Sequence, residues 1–163
     1  MCYFTDYEYC KSMLSFSDKD PTQIDLERFL VLVSYFPSGA SAKSTFHYGQ
    51  LINQKEEVFR RWDYGSAQDN IAHYGQPVPP DYDLKNIKFP VAFYNGGNDN
   101  IANPTDAEWT AKQLDHTIVV RKEYTKFGHL SFAMAKNMTW FSDDVIPVIN
   151  RYNWIMIYFY LIE

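Results

Sequence analysis

Phe93-Tyr94-Asn95-Gly96-Gly97-Asn98-Asp99 is the stretch that decides how this chain of 163 residues folds. Phe89 to Tyr94 is a short apolar run, with Pro90 near its start and Gly96-Gly97 at its end, which suits a buried parallel strand. Asn103-Pro104-Thr105-Asp106 then reads as a helix start, with a capping Asn, Pro at the first helical position and an acid in the first turn. That helix runs through Trp109 to about Leu114. Thr117 to Tyr124, β-branched at Thr117, Ile118, Val119 and Val120, is the second strand. Beyond it come a loop carrying Gly128-His129-Leu130 and a helix-like stretch from Leu130 to Lys136. A final helix is expected from Asp143-Asp144 through Val145 to Tyr152, with Pro147 near its first turn.

Upstream of Leu84 the texture differs. Residues to about Asp83 read as helical and loop-rich. Ile24, Leu26, Phe29, Leu30 and Val33 have helical spacing stopped by Pro37-Ser38-Gly39, and Ser41 can cap a helix through Phe46, His47, Leu51 and Ile52. Gly65, Gly75, Pro77, Pro79 and Pro80 then punctuate a long segment that reads as irregular. The expected division is a helical segment over 1–83 and an alternating strand and helix segment over 84–163.

In an open parallel sheet, reactive groups gather beyond the carboxyl ends of the strands. Asp99 follows the first strand and His129 the second, so the carboxylate can accept the Nδ1 proton of the imidazole. This fixes the tautomer in which Nε2 can take a proton from a serine hydroxyl. Gly96 and Gly97 are expected to let the backbone turn there. The chain has no Gly-x-Ser-x-Gly nucleophile elbow. Ser131, two residues from His129, has no strand-turn-helix elbow around it. Ser41 in Gly39-Ala40-Ser41-Ala42-Lys43 lacks the closing glycine and reads as a helix cap. His47, His73 and His116 read as packing or surface residues.

Bulk properties narrow the field. A net charge of −5 without a basic run argues against nucleic acid and anionic membrane surfaces. The 13 Tyr and 12 Phe read as core and surface rings rather than a dedicated aromatic face. Cys2 and Cys10, the only cysteines, define no disulfide framework, and no Cys or His cluster has metal spacing, so neither metal nor cofactor is expected. The first residues have no basic n-region or long apolar h-region and do not read as a signal peptide. Trp154 to Ile162 is apolar but about half the ~20 residues needed to cross a bilayer, and is expected to be a buried helix or strand.

Several motifs, in order, carry a resemblance that runs from about Pro37 to Tyr152. They are Pro37-Ser38-Gly39-Ala40-Ser41 with His47 and Gln50; Asp63-Tyr64-Gly65 with Asn70; His73-Tyr74-Gly75; Pro79-Pro80-x-Tyr82; Pro90-Val91-Ala92 through Gly96-Gly97-Asn98-Asp99, with Ala102 and Asp106; and Gly128-His129-Leu130-x-Phe132. Together they resemble the C-terminal portion of the acid lipase family, the lysosomal and gastric lipases, which cleave triglycerides and sterol esters. The resemblance implies a partial α/β-hydrolase fold: a helical cap (lid) remnant to about Asp83, then the C-terminal strands and helices of the core. It implies catalytic roles for Asp99 and His129 and a lipid ester as substrate. It suggests a secreted or lysosomal setting. Two positions depart from the family pattern: Ser131 stands where His-Leu-Asp-Phe has its acid, and Asn100 where a tryptophan commonly follows the catalytic acid.

Two functions stay open on this reading. One is a lipase-like carboxylic-ester hydrolase whose serine and oxyanion donors come from a segment outside these residues. The other is an inactive truncated or degenerate lipase with a binding or assembly role. Loss of the nucleophile alone costs on the order of 10⁶ in turnover in a serine protease, so the chain by itself is expected to be inactive. Two parallel strands leave faces and edges uncovered, so it is also expected to depend on the missing N-terminal half.

Overall fold

Strand β1 (Val91–Gly96) pairs in parallel with β2 (Ile118–Tyr124), and helix α5 (Pro104–Gln113) lies between them in sequence. The computed structural model describes residues 8–35 and 38–152. Before β1 come α1 (Glu8–Ser17), α2 (Leu26–Val33), α3 (Ala42–Ile52) and α4 (Ala67–Tyr74); after β2 come α6 (Ser131–Met134) and a helical segment over 139–152, α7. The architecture is mixed α/β, with two parallel strands among the described residues. None of the described helices is long and apolar enough to cross a membrane. The expectations for Cys2 and for Trp154 to Ile162 concern residues outside those described.

Local chemistry explains most boundaries. Asn103 accepts from the Thr105 and Asp106 amides and Pro104 opens α5, as the sequence requires. Asp25 caps α2 through the Glu27 and Arg28 amides, and Ser41 caps α3 through the Ser44 amide. The segment expected to be irregular contains a helix. Ser66 caps α4 through the Asp69 amide, and Gly75 ends it in the left-handed conformation at φ 74°. The last helix also differs from expectation: α7 begins near 139, and Pro147 lies inside it. The preceding turn (Phe141–Val145) is a π-turn, in which the Ile146 amide donates to Phe141 O. Widening the ladder just before Pro147 accommodates a residue that has no N–H to give.

The chain forms two compact units, one of residues 8–35 with 89–152 and one of residues 38–88. Residues 8–35 share the unit that holds the strands, tied to the loop after β1 by Lys19 N donating to Asn98 O (2.9 Å) and Asn100 N to Ser17 O (3.0 Å). Leu14, Ile24, Phe29 and Met134 form a buried cluster, with Leu26, Leu32, Val33 and Leu130 against it. Backbone bonds reinforce this contact: Asp25 N donates to Met134 O (2.8 Å) and Lys136 N to Gln23 O (2.8 Å). Burial of four large apolar side chains is worth about 1.5–3 kcal/mol each, enough to fix residues 14–33 against the loop that follows His129. Within the second unit, buried Asn70 organises the chain between α3 and α4.

Candidate active site

Both residues singled out by sequence lie beyond the carboxyl ends of the parallel strands, and their side chains meet. His129 Nδ1 is 3.1 Å from Asp99 Oδ2. A carboxylate only accepts, so this bond requires the proton on Nδ1 and leaves the Nε2 lone pair available. Asp99 is 3% exposed, and its other oxygen, Oδ1, accepts from the Ile101 and Ala102 amides at 2.8 Å each. Three donors therefore hold one carboxylate in place. The His129 side chain is 42% exposed, so its ring stays open to solvent while Asp99 grips the Nδ1 edge.

The loops bearing the two residues are tied by backbone bonds. Gly97 N donates to Tyr124 O (3.0 Å) and Asn98 N to Phe127 O (2.8 Å). Gly96 and Gly97 serve this approach through their lack of a side chain rather than through a left-handed turn. A Cβ at Gly96 would stand 2.4 Å from Phe127 O, and one at Gly97 2.8 Å from Thr125 O.

A second buried carboxylate, Asp18, lies under the His129 loop and was missed by sequence reasoning. It is 0% exposed and forms an isolated antiparallel bridge with Asp99. Its Oδ2 accepts from Ser17 Oγ (2.6 Å) and Leu130 N (3.3 Å), and its Oδ1 from Ser131 Oγ (3.2 Å). Ser131 Oγ accepts in turn from Gly128 N at 3.0 Å. The residues on both sides of His129 are thus bound, directly or through Ser131, to one carboxylate. Asp18 stands three residues before Pro21, and nothing local signals a partner more than a hundred residues away.

The other sequence candidates fall elsewhere. Ser131 is 0% exposed and engaged with Asp18 and Gly128, consistent with its reading as no nucleophile. Ser41 is the α3 cap. His47 Nε2 bonds the Arg60 carbonyl, and His73 stacks on Tyr64 at 3.6 Å. Among the described residues no group of three or more His, Cys, Asp or Glu could hold a metal ion.

Comparison with known proteins places the chain, though not the site, in a family. No family model matches the chain. Curated relatives do match: the tear acid lipase-like protein of Mesocricetus auratus is 30% identical over 138 residues, 85% of this chain and 34% of that protein. The gastric triacylglycerol lipase of Rattus norvegicus is 32% identical over 124 residues, 76% of this chain and 31% of the lipase. The lysosomal acid lipase/cholesteryl ester hydrolase of Rattus norvegicus is 27% identical over 130 residues, 79% of this chain and 32% of that enzyme. The chain thus spans about a third of the length of these relatives. It belongs to the acid lipase family of lipase-like ester hydrolases and corresponds to a C-terminal portion of it.

Proposed function

We propose that this chain supplies the acid and the base of a Ser-His-Asp ester-hydrolysis centre, with Asp99 as the orienting acid and His129 as the proton carrier. The observation that carries the reading is the 3.1 Å contact from His129 Nδ1 to Asp99 Oδ2 beyond two parallel strands, with the imidazole half exposed. The attacking serine and the oxyanion donors come from polypeptide outside these 163 residues. In the first step His129 Nε2 takes the serine hydroxyl proton as the oxygen attacks the ester carbonyl, and Asp99 stabilises the imidazolium that forms. The imidazolium then gives that proton to the departing alkoxide, leaving an acyl-enzyme that water cleaves by the same route. The substrate class is a lipid ester, as the names of the lipase relatives suggest.

On this reading residues 84–163 are the C-terminal part of an α/β-hydrolase core. The polypeptide before them derives from a helical cap, its first helices folded against the segment around Met134. The chain depends on the rest of such a core for its stability. Exposed Phe89 and Val119 beside a two-stranded sheet, with Phe141, Ile146 and Ile149 exposed on α7, support that dependence.

Nitrogen-detected NMR of His129 tests the dyad directly. The neutral ring is expected to carry its proton on Nδ1, and Asp99→Asn is expected to disturb that preference. A wild-type ring protonated on Nε2 sinks the proposal. p-Nitrophenyl butyrate hydrolysis tests the division of labour: the chain alone is expected to show none. Turnover that disappears in His129→Ala would mean that the nucleophile lies within these residues.

A further inference from the structure

Residues 38–88 enclose a concavity of about 450 Å³ that owes nothing to Asp99 or His129. Its walls include Trp62, Tyr64, Tyr74 and Tyr82, and two cations, Lys43 and Arg61. Lys43 Nζ lies 5.3 Å from the Trp62 ring centroid and 5.2 Å from that of Tyr64, and Arg61 Cζ lies 5.7 Å from that of Tyr82. Among the described residues neither cation has a carboxylate within ion-pair distance. Their neighbour Arg60 differs, with Asp81 at 2.8 Å and Glu56 at 3.8 Å.

The wall is held in shape from behind. His47 Nε2 donates to Arg60 O (2.9 Å) and Tyr74 Oη to Trp62 O (3.0 Å). Gln50 clamps Asp63 twice, donating to its carbonyl (2.8 Å) and accepting from its amide (3.0 Å). Asn70, 3% exposed, accepts from Tyr64 N (3.0 Å) and donates to Asp63 Oδ1 (3.0 Å) and Pro77 O (3.2 Å). Residues 60 to 64, which carry Arg61, Trp62 and Tyr64, are thereby fixed by side chains on both flanking helices. Such preorganisation lowers the ordering cost of binding.

We infer that this concavity is a binding site for an amphiphilic anion: an oxyanion head held by Lys43 and Arg61, joined to an apolar or planar body against the four aromatic rings. A π-face attracts a cation but accepts little from its N–H groups, so three ammonium and five guanidinium donors retain capacity for an oxyanion. Two such cations without carboxylates, in a protein of net charge −5, make a local site of opposite sign. The volume lies within the range of small-molecule sites and exceeds what a bare phosphate fills. The aromatic walls reward an apolar body, so neither half of the ligand suffices alone.

The test titrates n-octyl phosphate into the full chain by calorimetry below its aggregation threshold, with inorganic phosphate and n-octyl glucoside as comparators. Saturable one-to-one binding is expected, about tenfold or more tighter than either comparator, since octyl glucoside lacks the charge and inorganic phosphate lacks the apolar body. The Lys43→Gln/Arg61→Gln double variant should lose about tenfold or more with an unchanged circular dichroism spectrum. The Trp62 indole N–H resonance should move on binding while those of Trp109 and Trp140 stay. Equal affinity for octyl glucoside, an undiminished double variant, or shifts confined to the other tryptophans would overturn the inference. Should the double variant fail to fold, wild-type affinity at low and high salt decides. A large loss at high salt upholds the two-cation site and an unchanged value refutes it. Flotation with phosphatidylglycerol against phosphatidylcholine vesicles separates the sources. Capture by the anionic vesicles identifies a lipid headgroup, and octyl phosphate binding without it identifies a free anion. Because no readout uses His129, failure here leaves the ester-hydrolysis reading untouched, and the reverse also holds.

Discussion

Replacing Gly128 by Ala is the sharpest single perturbation of the loop that presents His129. The new Cβ would stand 1.9 Å from Asp18 Oδ1, 2.3 Å from Cγ and 2.5 Å from Cβ, where carbon contacts essentially never fall below 3.0 Å. Relief requires the carboxylate to retreat by more than an ångström, and Asp18 is fully buried with three hydrogen bonds to keep. Overpacking of a filled site costs about 1–3 kcal/mol, and weakening bonds to a charged acceptor adds to it, so the expected loss is about 2–4 kcal/mol. For a chain of this size that lowers Tm by roughly 5–15 °C.

Asp18→Ala removes the two nearest obstacles and leaves only its Cβ, 2.5 Å away, so in that background Gly128→Ala should cost about 1–3 kcal/mol less. Asp18→Ala is itself costly, about 1–3 kcal/mol, because the Leu130 amide and the Ser131 hydroxyl lose their acceptor. The four proteins form a double-mutant cycle, followed by thermal unfolding in circular dichroism, with an expected favourable coupling of about 1–3 kcal/mol. Strictly additive costs, or a Gly128→Ala protein as stable as wild type, would refute the argument that Asp18 fills the space beside Gly128.

Two further outcomes concern the second unit. Asn70→Ala leaves the Tyr64 amide and the Pro77 carbonyl without their partner and should destabilise by about 2–4 kcal/mol, visible as an early loss of amide exchange protection over residues 60–66. Protection equal to wild type would deny Asn70 its organising role. Asp63 is held below its ordinary value of 3.8 by the Asn70 hydrogen bond first and the Gly65 amide second. A depressed folded pKa stabilises above the unfolded value, so this contribution is present above about pH 3.8 and disappears as pH falls through the lower folded value. Thermal scans across that window should show an acid limb that flattens in Asp63→Ala; an unchanged limb would exclude the linkage.

What the sequence disclosed was whatever a short window can encode. The β-branched run from Thr117 and the Asn103-Pro104 cap announce their own conformation, and the run from Phe89 announces a strand, although β1 is Val91–Gly96 and Phe89 is exposed rather than buried. The positions of Asp99 and His129 follow from the strand ends alone. The segment over 65–80 is instructive, because Gly65, Gly75 and the prolines read as punctuation of an irregular stretch. Ser66 and Gly75 are the start and stop of α4, and the eight residues between them have too weak an apolar stripe to show it. Asp18 is a different failure. Its partners Leu130 and Ser131 lie on the far side of both strands in sequence, and only tertiary packing brings a carboxylate there.

The two acidic residues divide their labour in a way that separates orientation from stability. Asp99 meets the imidazole itself, and its remaining oxygen is satisfied by amides of its own loop, so Asp99→Asn keeps most of the local bonding while removing the charge that favours Nδ1–H. Asp18 binds Leu130 and, through Ser131, Gly128, and among the described residues its hydrogen bonds go to these rather than to the imidazole, so its loss loosens the loop while Asp99 remains in place. The physical expectation is a crossed pattern: Asp99→Asn alters the His129 tautomer with a small change in Tm, and Asp18→Ala lowers Tm with the Nδ1–H tautomer retained in the folded molecules. Two variants with the same ratio of tautomer change to Tm loss would mean that the carboxylates act as one unit, and that a histidine loop cannot be braced independently of the acid it faces.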